Sequence, residues 1–251
     1  VLRIFVFLLV LFSSISTKAQ GEDGGLVSTP YQFWNELAVS QGLSKKFAAR
    51  LSLEWNTSNS KEEGGFLTDY LTNYGMRGMV HYFIKPKLRL SASFSTYINP
   101  SVPELKQQRF VEYKPSVEAQ YFWVDNRFTL FNRLRYESRF LHNTDANTNR
   151  HIARLRYMPK LFVSLNSKTI RAKTLYLILS DELVFDINNK DALLDQNRLS
   201  IGLGYCFTNH VTLESAVVNR IIFHQTSPNE LTNALNLTLI MNNLFNYNRS
   251  K

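Results

Sequence analysis

The sequence predicts an all-β chain: a transmembrane, antiparallel up-and-down β-barrel of about twelve strands, with ten as the alternative count. Three observations carry this. Apolar and polar residues alternate with period two along most of the chain beyond residue 30, as in a strand with one apolar and one polar face. The alternating segments run to about 11–16 residues, whereas soluble strands average about five or six. A tilted membrane strand needs about 9–11 residues to cross the hydrocarbon, plus ends that protrude. Finally, residues 127–141, RFTLFNRLRYESRFL, place Arg133, Arg135, Glu137 and Arg139 on one face, and Phe128, Leu130, Leu134, Tyr136 and Phe140 on the other.

Residues 1–19 read as a secretory signal peptide. Arg3 precedes an apolar run from Ile4 to Phe12, and Thr17 and Ala19 are the small residues of a cleavage site. That run is too short for a spanning helix, which needs about 20 residues. Without the leader, 27 Lys and Arg face 20 Asp and Glu, a net charge of +7. The basic residues are dispersed through alternating segments rather than gathered in a patch or tail, which argues against nucleic acid as a partner. Cys206 is the single cysteine, so no intrachain disulfide framework exists.

Residues 20–30, glycine-rich and polar, read as a flexible lead-in, and residues 31–251 as one barrel domain. A first strand is marked at 31–40 by Phe33, Leu37 and Val39. The second, 46–56, alternates Phe47, Ala49, Leu51, Leu53 and Trp55 with Ala48, Arg50, Ser52 and Glu54. A polar loop leads to 70–84, and Lys85-Pro86-Lys87 turns into 88–98. A longer loop then precedes 109–123, where Pro115 is expected at a bulge or a loosely paired position. The arginine-rich strand follows a short turn. Residues 142–149 read as a loop, and 150–165 as a strand carrying Arg154 and Arg156. Residues 174–186 are the most apolar strand, with Asp181 anomalous on its apolar side. Strands at 196–207, 211–223 and from 235 onward complete the set.

These are about eleven alternating segments. Short connections are expected after the odd-numbered ones and long connections after the even-numbered ones, the habit of bacterial barrels with short periplasmic turns and long external loops. Single-chain bacterial barrels have even strand numbers. The sequence leaves three solutions: a hidden twelfth strand within 26–34, a misread connection at 41–45, or an N-terminal segment threading the lumen.

Energetics assign the faces. Arg or Lys facing lipid at the midplane costs roughly 2–4 kcal/mol, so the charged face is expected inward. Arg133, Arg135, Glu137, Arg139, Arg154, Arg156, Glu182 and Arg198 are the candidate lumen-lining residues. Arg50, Glu54, Arg77, Arg89, Glu112, Glu118, Glu214 and Arg220 are assigned to the same side. Tyr31, Trp55, Tyr82, Tyr97, Tyr121, Tyr205 and Phe245 are expected in interfacial girdles.

Phe33-Trp34, the RLRYESR of 133–139, the RLRY of 154–157, Asp181-Glu182, and QNR followed by GLGY at 196–205 together resemble the Gram-negative outer-membrane proteins grouped as domain-of-unknown-function family 2490. The resemblance implies a barrel in the bacterial outer membrane, delivered by the barrel assembly machinery, with no established activity. The final strand resembles a C-terminal assembly signal, although Phe245 is followed by NYNRSK.

The expected role is a narrow channel or structural barrel with an Arg/Glu-lined lumen. Outer-membrane lipid is its surroundings and an anionic small solute a candidate ligand. One alternative is a lipid-acting hydrolase, which needs a serine, a histidine within reach and an orienting group. None of the five histidines has a Gly-flanked serine nearby. The other alternative is a secreted soluble β-sandwich binding module. No cofactor, P-loop or metal spacing is expected; His142 and Asp145 flank one loop, too few for a metal site.

Overall fold

The computed structural model describes residues 26–60, 66–189, 193–225 and 227–244. The leader and Phe245 therefore lie outside the described residues. Twelve strands are present: β1 (Leu26–Ser28), β2 (Gln32–Gly42), β3 (Phe47–Ser58), β4 (Tyr70–Lys85), β5 (Leu88–Asn99), β6 (Phe110–Asp125), β7 (Phe128–Asn143), β8 (Thr148–Ser164), β9 (Thr174–Asp186), β10 (Leu194–Cys206), β11 (Val211–Ile222) and β12 (Asn229–Asn242). The described residues include no α-helix, only a 3-10 turn at Pro103–Leu105. From β2 to β12 each strand pairs antiparallel with the next, and β12 closes on β2. One sheet closed on itself replaces the two packed sheets that a sandwich requires.

The closing seam is parallel, running from Ala234 opposite Gln32 to Asn242 opposite Ser40. β1 extends it, with Leu26 opposite Asn229 and Ser28 opposite Leu231. The register steps by one residue across Thr29-Pro30-Tyr31, where proline has no N–H to give the ladder. β1 and β2 thus form one interrupted stave. The twelfth strand does lie within 26–34, but it lengthens the first stave, and eleven staves close. An odd meander closes only through a parallel seam. Its described ends consequently lie at opposite rims: β2 starts at the rim of the 59–69 and 100–109 loops, and β12 finishes at the rim of the 43–46 and 86–87 turns.

The alternation of connection lengths holds except around β8. The expected loop at 142–149 shrinks to 144–147, because β7 and β8 continue their pairing out to Asn143 opposite Thr148. The expected short turn after β8 is instead the nine-residue segment 165–173. Pro115 sits in an interior stave without a bulge. It pairs with Phe94 on one side, and the β6–β7 ladder lapses only at Lys114 and Pro115. Pro159 behaves alike: it faces Asn132 on β7, while the β8–β9 ladder omits Met158 and Pro159.

The wall is apolar outside. Leu51, Leu53, Val80, Leu90, Phe94, Val117, Leu134, Leu199, Ile201, Leu203 and Val217 are all exposed, Ile201 and Val117 to 56%. Exposed aromatics gather toward both rims. Phe47, Tyr82, Tyr121, Trp123 and Phe207 lie near the short-turn rim, and Trp55, Tyr74, Tyr113 and Phe140 lie toward the other. Tyr97, expected among them, points inward instead and is 4% exposed, because its hydroxyl donates to Glu54 at 2.8 Å. Its ring lies over Gly75, directly opposite across the strand pair, where a Cβ would collide. Tyr176 repeats the device over Gly204, with its hydroxyl on Glu214 at 2.7 Å.

Candidate functional site: the charged lumen

The inward side chains enclose a cavity of about 790 Å³ that touches every stave. Twelve Lys and Arg and seven Glu line it, an excess of five positive charges. All eight candidate lumen-lining residues are there, and the structure groups them by simple cross-strand geometry. Arg135 is directly opposite Glu118 and bonds it at 2.7 Å. Arg139 is opposite Lys114 in sequence register, turns away from that like charge, and grips Glu112 with two bonds of 2.6 and 3.0 Å. Arg154 meets Asp195 at 2.8 Å.

Glu182 is the hub. Arg156 donates to both its oxygens, at 3.1 and 2.6 Å, and to Glu137 at 3.0 Å. Arg133 bonds the same Glu182, and Arg198 stands 3.8 Å from it. A second knot joins Glu36, Arg50, Ser52, Glu54 and Arg77. Arg50 and Ser52 both reach Glu36 at 2.7 Å, and Arg77 bonds Glu54. Such pairs offset each other's desolvation and brace the wall; removing one partner of a buried pair costs about 3–5 kcal/mol.

Three cations, Arg89, Lys114 and Arg220, stand outside this pairing, and Arg198 reaches it only at 3.8 Å. Arg89 bonds Gln120 and lies 5.0 Å from the Phe122 ring. Lys114 sits 4.4 Å over Tyr97. Arg198 and Arg220 are directly opposite on β10 and β11, and both guanidinium groups lie beside Trp34, at 5.8 and 5.5 Å.

Toward the short-turn rim apolar side chains join the charged ones, with Lys160 lying 4.7 Å from the Phe162 ring. Phe122 packs on Phe131 at 5.0 Å and Phe162 on Tyr176 at 5.9 Å. Ile170, from the 165–173 segment, packs against Tyr176, Ile178 and Cys206. That segment is long because it tucks a residue beneath the barrel rather than simply turning. An apolar collar of aromatic and aliphatic side chains thus forms part of the inner wall at this rim.

Trp34, Glu36, Lys114, Lys160 and the collar were not assigned to the lumen from sequence, and Trp34 entered only through the family resemblance. Lys114 and Lys160 share parity with Glu112 and Arg156, so the signal was present. Trp34 and Glu36 lie on a strand whose phase rested on only Phe33, Leu37 and Val39.

Asp181 does face outward, 5% exposed, and accepts a bond from Asn197 at 2.6 Å. It lies beside the ladder gap at Pro159. Two serine–histidine pairs also occur. His81 Nδ1 is 2.7 Å from Ser91 Oγ, buried in the wall. His151 Nε2 is 2.6 Å from Ser138 Oγ on the outer face, its ring stacked on Phe140 at 4.8 Å. Among the described residues nothing holds the second nitrogen of either ring. His142 bonds Asn149, and Asp145 accepts from the Arg109 backbone, so those two do not converge. No group of three metal-ligating side chains occurs among the described residues.

The model of one protein family matches residues 31–231. The chain belongs to the family described as protein of unknown function (DUF2490). That span takes in β2 to β11 and the start of β12, and hence every paired arginine described above. No curated protein and no solved structure matches the chain.

Proposed function

We propose that this DUF2490 barrel spans the bacterial outer membrane and forms a narrow, basic lumen that admits small anions. The inverted polarity carries this reading: charges line the inside while large apolar side chains stand exposed on the outside. Exposed apolar surface on this scale is foreign to a soluble monomer, where contiguous patches rarely exceed a few hundred Å². Strands of 11–17 residues, β1 excepted, suit a tilted crossing with protruding ends. Outer-membrane lipid would surround the wall, and the barrel assembly machinery would deliver it. The excess of positive charge favours anions, and the apolar collar keeps conductance small.

Planar-bilayer recording tests the reading. The expected result is a small conductance whose reversal potential in a salt gradient shows anion preference. A silent bilayer despite correctly folded barrel, or cation preference, would overturn it.

Ser138 and His151 favour a second reading, a lipid-acting hydrolase on the outer face. The pair has hydrogen-bond geometry but no orienting third group among the described residues, so it ranks below the lumen. Release of fatty acid from outer-membrane phospholipid by the wild type, abolished by Ser138→Ala, would establish it. No release from the wild type would remove it.

A further inference from the structure

We infer that Arg198 and Arg220, braced against Trp34, form a binding site for a doubly charged oxyanion of the phosphate class at the long-loop mouth of the lumen. The inference deepens the proposed aqueous lumen and rests on it.

Arg198 lies on β10 and Arg220 directly opposite on β11, both pointing inward. Like charges directly opposite on one sheet face are destabilising. Elsewhere in this lumen the same difficulty is relieved locally: Arg139, opposite Lys114, turns to Glu112. Here the relief is partial. Arg198 has one carboxylate in reach, Glu182 directly opposite on β9 at 3.8 Å, and shares it with Arg156 and Arg133, so three guanidinium groups draw on one negative charge. Arg198 bonds only the neutral Gln196. Arg220 bonds the Thr232 hydroxyl at 3.1 Å, and no carboxylate of the described residues reaches it. Its Nε is buried without an acceptor.

Trp34 explains how the pair is held. Its indole N–H donates to Gln32 at 2.8 Å, which fixes the ring, and both guanidinium groups lie against it. The site is therefore pre-organised, with donors left over, Arg220 without a carboxylate partner among the described residues and Arg198 sharing one with two other guanidinium groups. A planar fork matches phosphate or carboxylate oxygens, and two adjacent forks with charge to spare match one dianion. Because the pair faces the lumen and not the outer wall, the ligand is a soluble one.

The test uses the purified full barrel in detergent micelles, with inorganic phosphate as the probe, calorimetry as the readout and chloride as background. Saturable binding is expected. Arg198→Gln and Arg220→Gln should each weaken it by about tenfold or more, the loss of a charge-assisted contact. Arg50→Gln removes the same charge from the lumen, but from a guanidinium already bonded to Glu36. It should change binding less than about twofold. Equal losses in all three variants would mean a diffuse field and would overturn the site, as would absence of saturable binding to the wild type. If a variant fails to fold, the wild type still decides: phosphate must raise its unfolding midpoint more than chloride at equal ionic strength. Bilayer recording separates the two claims. Conductance without phosphate binding sinks the site alone, whereas binding without conductance sinks the pore and leaves the site.

Discussion

Replacing Glu182 with Gln should loosen the barrel and make its lumen more basic at once. Glu182 is 6% exposed and receives two bonds from Arg156 and one from Arg133. The amide keeps the shape and removes the charge. Arg156 retains Glu137, but Arg133 keeps only a neutral amide oxygen and the Met158 sulfur at 3.5 Å, with no charged acceptor. Leaving a buried cation uncompensated costs about 3–5 kcal/mol, and the proposed aqueous lumen favours the low end. With a urea slope of about 3 kcal/mol per molar, the midpoint should fall by roughly 1 M. Unfolding followed by tryptophan fluorescence and by heat-dependent gel mobility reads this directly. The double replacement Arg133→Gln with Glu182→Gln should recover at least about 1 kcal/mol, since the orphaned cation is gone. In bilayers the single variant should shift the reversal potential further toward anions. A midpoint within about 0.2 M of wild type would refute the hub role of Glu182.

Other perturbations follow from the same geometry. Ile201→Arg places a charge on the outer wall and should cost about 2–4 kcal/mol of membrane stability, whereas Ser200→Arg, one residue away but inward, should fold normally; refolding yield into vesicles compares them. Gly204→Val drives a side chain into the Tyr176 ring and should cost about 1–3 kcal/mol by urea unfolding. Phe131→Ala with Phe162→Ala should widen the apolar collar and raise single-channel conductance at least twofold, and unchanged conductance would place the constriction elsewhere. Asp181→Leu or Asn197→Leu alone should destabilise by about 1–3 kcal/mol by leaving an outward polar group unpaired, while the double replacement should be nearly neutral.

Period-two alternation made the wall legible. In β7 it separated Arg133, Arg135, Glu137 and Arg139 from Leu134, Tyr136 and Phe140 without ambiguity, because four charges on one face outweigh any local exception. It could not show what each arginine grips. Arg139 meets Glu112 rather than Lys114 because side chains reach diagonally as well as straight across, and sequence parity carries no rotamer. The parallel seam was equally hidden: β2 and β12 lie some two hundred residues apart, and strand direction at closure depends on how many staves have formed. Tyr97 was misplaced because tyrosine suits both a girdle and a lumen. Its side follows from parity with Arg89, Ser93 and Ser95, and Gly75 on the facing strand leaves a hollow for the ring. The collar was missed because Phe131 and Phe162 sit on the charged face, where apolar residues read as noise until Ile170 and Tyr176 join them.

The central claim is that one face of this wall meets lipid while the other meets water, and the three tryptophans test it most directly. Trp55 and Trp123 are exposed on the outer wall, and Trp34 lines the lumen. Three variants, each retaining one tryptophan and carrying Phe at the other two positions, can be reconstituted into vesicles of brominated phospholipid. Strong quenching is expected for the Trp55 and Trp123 variants, and little for Trp34, which should instead be quenched by soluble iodide. Iodide quenching of all three with none by brominated lipid would contradict a membrane-spanning barrel; lipid quenching of Trp34 would contradict the assignment of its faces.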